Sequence, residues 1–188
     1  MNKTQFAIQE QQEFRVAERT TTSAERWSIS NEHIEQFELS GLSVFHDLLI
    51  KQDKSEYEDM VLYVLTIYSK APIARELPDK LLFIFTCLET MLLKDQSEPL
   101  QQNVAERMAL FIETTVQGRR DVIKQYKDAY VLRSQYIHHG QRPSAKDIRA
   151  LQPFFMSVWR FLLLACGNHQ RFKNKLEFIE HIEVKKLS

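Results

Sequence analysis

At 188 residues, 44% of them apolar and 12 of them Phe, the chain suits one domain or one domain with a small extension, and it can bury a sizeable core. Only 4 Gly and 5 Pro argue against a turn-rich all-β protein and against long disorder. Lys plus Arg equals Asp plus Glu, 25 each, so net charge announces no nucleic-acid binder.

The charge distribution says more. Residues 31–60 carry eight acids and two bases, whereas residues 118–149 carry eight bases and three acids. The second segment includes Arg119, Arg120, Lys124, Lys127, Arg133 and Arg142, and it could attract phosphate. The plainer reading is a solvated helix face. Met1–Gln12 is polar and reads as no secretory signal. The longest apolar runs, Leu81–Phe85 and Phe161–Cys166, are too short to span a bilayer, so no membrane partner is expected. Cys87 and Cys166 lie in apolar helical runs and fit two buried thiols, with a disulfide as the alternative. A cytoplasmic setting is expected.

Residues 1–29 form an N-terminal arm. Phe6/Ile8, Phe14/Val16 and Trp27/Ile29 alternate weakly, which allows short strands or an irregular arm, and Thr20–Ser23 reads as a turn. From Ser30 the period is helical, so residues 30–188 are expected to be one all-α domain. Ile34, Phe37, Leu42, Phe45 and Leu48 mark a first helix, broken at Gln52–Ser55. A second runs from about Ser55 to Ala71 and ends at Pro72. A third, Asp79 to Lys94 with Pro78 in its first turn, is apolar nearly all round and should be central. Ser97 caps a fourth, which Gly118 stops. The fifth, Arg119 to His139, ends at Gly140, a residue suited to C′. Ser144–Asp147 resembles a capping box that opens a long helix through Leu162, and a charged helix around Phe172–Ile182 follows.

The fifth helix holds the chemistry. At 100° per residue Val122, Tyr126, Tyr130, Arg133 and Ile137 share a narrow stripe, so a guanidinium replaces an apolar group on a packed face. Burying it demands a carboxylate or a phosphate. Glu89 on the third helix is the internal partner by type, which would make Arg133 half of a core ion pair. His138 and His139 fall about 140° and 120° from Arg133, in opposite senses. Unwinding before Gly140, or pairing of two such helices across a two-fold axis, would bring the groups together. Otherwise the histidines simply complement the helix dipole.

Arginine and histidine together suit RNA cleavage by the ribose 2′-OH. Histidine handles the two proton transfers near neutral pH, and arginine forks onto the phosphoryl oxygens. Neither metal nor cofactor is required. The six histidines and two cysteines show no zinc spacing, and phosphate-loop and serine-hydrolase motifs are absent. Tyr126, Tyr130 and Tyr136 could stack bases, although packing is their more ordinary use.

At Tyr130-Val131-Leu132-Arg133-Ser134-Gln135-Tyr136-Ile137-His138-His139-Gly140 the sequence resembles the HEPN superfamily, in particular its ApeA-like group, whose ribonucleases share an Arg-x4–6-His motif. Phe85 to Leu93, with Glu89, is similar to the family's upstream Glu-bearing helix, and Asn103 to Leu110 to the helix after it. The likeness covers roughly residues 75–167. It implies a HEPN-like helical bundle, a homodimer along the motif helix 119–140, and metal-independent endoribonuclease activity of a toxin, abortive-infection or anti-phage kind. An antitoxin or sensor protein would be a further partner. It carries over Arg133 with His138, or His139 at the longer spacing, as catalytic residues. Ser134 carries over as the polar position and Glu89 as a further support; beside them stand Tyr130 and Tyr136, and the local positive charge makes Arg119, Arg120, Lys127 and Arg142 the RNA-binding candidates. A catalytically silent HEPN module for dimerisation or for RNA or nucleotide binding is the second reading, and an ordinary helical interaction protein the third.

Overall fold

The structure is a computed structural model that describes residues 2–10, 13–21, 42–95, 97–139 and 144–186. The chain divides into two units, Met1–Ser40 and Gly41–Ser188. In the first, strands β1 (Asn2–Glu10) and β2 (Glu13–Thr21) pair antiparallel, in register from Asn2 opposite Thr21 to Glu10 opposite Glu13. Residues 30–41 of the expected first helix, and Trp27/Ile29, lie outside the described residues.

The second unit, as described, is all-helical. Helix α1 (Leu42–Ile50) buries Leu48. Helix α2 (Glu56–Tyr68) starts at a reciprocal box: Glu58 N donates to Ser55 Oγ at 3.2 Å, and Ser55 N donates to Glu58 Oε2 at 2.8 Å. Tyr57, Val61, Val64 and Ile67 then face inward. Pro72 does not end this helix. The break comes at Ser69, and Pro72 sits inside the one-turn helix α3 (Lys70–Ile73), close enough to its start to be tolerated there.

Helix α4 (Leu77–Leu92) is the central element. It buries Leu77, Leu81, Ile84, Phe85, Cys87, Leu88, Met91 and Leu92, and it packs against α2, α3, α5 and α6. Cys87 and Cys166 are free thiols, and burial pushes the Cys87 thiol up to about 12. Helix α5 (Leu100–Ile112) begins one residue after Pro99. Ser97 is no cap for it, because its hydroxyl is spent on Asp95 at 2.5 Å.

Gly118 stops nothing. Helix α5 already ends at Ile112, and α6 (Val116–His139) takes in Gly118 as its third residue. Gly118 N donates to Thr115 Oγ1 at 3.0 Å, so Thr115 caps α6. A Cβ on Gly118 would lie 2.8 Å from Glu113 Oε2, the end of a side chain that can shift aside.

The long helix expected after Ser144 is two. Ser144 and Asp147 do form a capping box for α7 (Ala145–Ala150). Pro153 then lacks the N–H for the Arg149 carbonyl and crowds it, so the chain breaks at Leu151 and restarts as α8 (Gln152–Gly167). Phe154, Val158, Phe161, Leu162 and Ala165 complete the core from α8. A 3-10 turn, His169–Arg171, leads to α9 (Lys175–Val184), which inserts Phe178, Ile179 and Ile182. None of the described helices is long and apolar enough to cross a membrane.

Candidate functional site

Helix α6 is 24 residues long and packs against α4, α5 and α8. Its buried row is Val122, Tyr126, Ala129 and Tyr136, at spacings of 4, 3 and 7. Arg133 falls on that row, midway between Ala129 and Tyr136. Ile137, expected on the stripe, is 47% exposed instead. The row follows alternating steps of four and three, so it passes through 136 and leaves 137 to one side.

Phe85 of α4 is the hub beneath this row. Its ring meets Tyr126 edge-on at 5.2 Å and Tyr130 edge-on at 5.5 Å, and stacks on Phe154 at 5.5 Å. The Arg133 guanidinium lies over this cluster, with Cζ 5.6 Å from the Phe85 centroid and 5.7 Å from the Tyr130 centroid. Arg133 makes no hydrogen bond or ion pair among the described residues, and its Nε is buried without a partner.

The alternative of a core ion pair with Glu89 is therefore not realised. Glu89 is half-buried. Burial pushes its carboxyl above the usual range, and the positive charge of Arg133 pulls it part of the way back. The two groups feel each other without touching. The Tyr126 hydroxyl is also buried and unpartnered, and burial followed by the Glu89 charge drives its proton affinity far up. Tyr136 is the third such group. Burial, then the carboxylate of Asp147 nearby, pushes it up to about 12, yet no hydrogen bond of good geometry forms. Every buried side-chain polar atom left unpaired among the described residues is on α6. Each such atom costs about 1–3 kcal/mol.

The backbone of α6 stays helical through His139, so no unwinding reorients the histidines. The side chains of His138 and His139, with Gly140, Arg142 and the C′ stop expected there, lie outside the described residues. Helical geometry still orders the positions. Residues 120, 127, 134 and 138 fall within about 40° of one another, on the side away from the buried row. Position 139 falls elsewhere, about 100° further round. Position 138 thus shares a row with Arg120 and Lys127, both exposed, and with Ser134, half-buried and without a hydrogen bond among the described residues. Arg119 is partly spent: its Nε donates to the Glu113 carbonyl at 3.2 Å. Lys124 pairs with Asp128 at 3.1 Å.

Two polar clusters escaped sequence reasoning. Arg107, 2% exposed, sends Nη1 and Nη2 to Glu98 at 2.6 and 2.7 Å, Nη2 to Glu183 at 2.6 Å, and Nη1 to the Leu92 carbonyl at 2.6 Å. This ties α9 to α5. The second joins Glu58 to His169 Nδ1 at 2.8 Å and to Lys51 Nζ at 2.7 Å. Burial alone would raise the Glu58 carboxyl, but bonds from Lys51, the Ser55 amide and His169 hold it at about 2. Glu58 and His169 stand 111 residues apart, so no spacing announces them. The charge of Arg107 in the apolar company of Val104 and Met108 was the one visible signal. Comparison with family models, with curated proteins and with solved structures yields no match.

Proposed function

We propose that the chain is a metal-independent endoribonuclease of HEPN type that acts as a homodimer along α6. One observation carries the reading: Arg133 occupies a packed helix row with no carboxylate in contact with it, Glu89 acting on it only at a distance. A fold that uses an arginine for itself satisfies its donors, as Arg107 illustrates. Arg133 keeps its fork for an anion, and a phosphodiester is the anion its company suits. Arg120, Lys127 and position 138 form one row on the open side of the same helix.

Within one chain Arg133 and position 138 face different ways, and α6 does not unwind to bring them together. A second copy whose α6 end reaches the rim of the Arg133 row would supply the histidine that this row lacks. One histidine then takes the 2′-OH proton, the second protonates the departing 5′-oxygen, and Arg133 holds the phosphoryl oxygens. His138 is the acting residue by its row, with His139 the alternative. Use as a toxin or anti-phage effector, restrained by an antitoxin or sensor, follows from the same resemblance.

The test is incubation of purified protein with RNA and mapping of the ends. The expected products carry 2′,3′-cyclic phosphate, with Arg133→Ala and His138→Ala each reducing cleavage by about 10²-fold or more. Intact RNA at every protein concentration, or cleavage indifferent to both variants, overturns the proposal. A second reading has its own support. The guanidinium resting on Phe85 and Tyr130 is a packing contact in its own right. Binding of RNA without cleavage would favour a silent HEPN module.

A further inference from the structure

A cleft of about 370 Å³ opens where α2, α3, α4, α7 and α8 meet, away from the α6 row. Its walls are mostly apolar, with Tyr68, Leu77, Ile84, Ile148 and Phe155 among them. Two cations line it, Arg75 before α4 and Lys80 one turn into α4, and no carboxylate does. Neither cation makes an ion pair or hydrogen bond among the described residues.

We propose that this cleft binds a small amphipathic carboxylate, a medium-chain acyl anion. The wall chemistry selects it. Gln152 is the one uncharged polar side chain of the lining apart from the Tyr68 hydroxyl, so a ligand with a polar body would leave its groups unpaired. A chain of methylenes meets no such penalty against Ile84, Leu77 and Phe155. The head then lies between Arg75 and Lys80, where the guanidinium fork matches a carboxylate. The volume lies in the range of small-molecule sites. Ile148 is 45% exposed, so an acyl chain laid along it would cover apolar surface that now faces water.

The experiment is isothermal titration of the full chain with decanoate below its micelle concentration, beside decyltrimethylammonium, which has the same tail and the opposite charge. Saturable one-to-one binding of decanoate, with at least about tenfold weaker binding of the cation, is expected. The double variant Arg75→Glu with Lys80→Glu should weaken decanoate by roughly tenfold to a hundredfold and reverse the preference. Both residues are at the surface or half-buried, and circular dichroism checks that the variant folds. Ile148→Asp, at an exposed position, should weaken decanoate as well by wetting the wall. Failure of decanoate to saturate, equal binding of the two surfactants, or affinity unchanged in the variants overturns the proposal. None of these residues belongs to the α6 row, so the outcome is independent of RNA cleavage.

Discussion

Arg107 and Arg133 are both arginines set among apolar neighbours on helices of one core, and they live in opposite ways. Arg107 has two carboxylates and a carbonyl around its guanidinium, and the Glu98 pair is bidentate. Arg133 has two aromatic faces, an unpaired Nε and a carboxylate that stops short of contact. A buried cation with its donors met is consumed by the fold. One with its donors open costs stability, and such a cost marks a group held for a partner.

Replacement of each arginine by methionine breaks this contrast most strongly. Arg107→Met strips the neutralising charge from Glu98 and Glu183, and about 3 kcal/mol of stability should go with it. Glu183 keeps Lys94 at 2.7 Å, which limits the loss. Arg133→Met surrenders a cation–π contact but removes a buried unpaired donor, so stability should stay within about 1 kcal/mol of the parent. Urea unfolding of the two variants decides the matter. Equal losses would mean that Arg133 is as structural as Arg107.

Acid sharpens the same comparison with a smaller effect. Hydrogen bonds from Arg107 lead the causes that hold Glu98 at about 2, and Glu58 is also held at about 2. Both carboxyls lie below their ordinary value of 4.5, so the stability they contribute is fully present above that value. It drains away as pH falls toward 2. Glu89 moves the other way: burial raises its carboxyl, so its ionised form opposes folding at neutral pH, and acid relieves that strain. The parent should therefore lose stability from pH 5 to 3, while Glu89→Gln gains a little at pH 7. In Arg107→Met the acid loss should flatten, because Glu98 returns toward its ordinary range. An unchanged acid slope in that variant would break the link between Arg107 and Glu98.

The helical period was enough to find the core. Leu81, Phe85, Leu88 and Met91 announce α4 as central, and the Ser144 box is read straight from residue type. Punctuation was harder. Gly118 is compatible with ending one helix or beginning the next, and only the Thr115 cap decides it. Pro153 was a legible break, hidden by the run of Phe and Leu on either side. At the site, spacing placed Arg133 on the inward row of α6. Its pairing was illegible, since contact with Glu89 depends on the separation of α4 and α6 and not on any interval along the chain. Arg107 and His169 are satisfied by residues 76 and 111 positions away, a distance that local pattern does not reach.

Tyr126 supplies the smallest and most exacting probe. Its ring is wholly buried against Phe85 and Phe154, and its hydroxyl has no partner. Tyr126→Phe keeps every ring contact and deletes only the unpaired oxygen. In an isolated chain that change should leave stability unchanged or raise it by up to about 1 kcal/mol. Unfolding midpoints of parent and variant in urea measure the difference. A penalty of more than about 1 kcal/mol would show the hydroxyl to be paired inside the chain, and α6 would then resemble α5 with its satisfied Arg107.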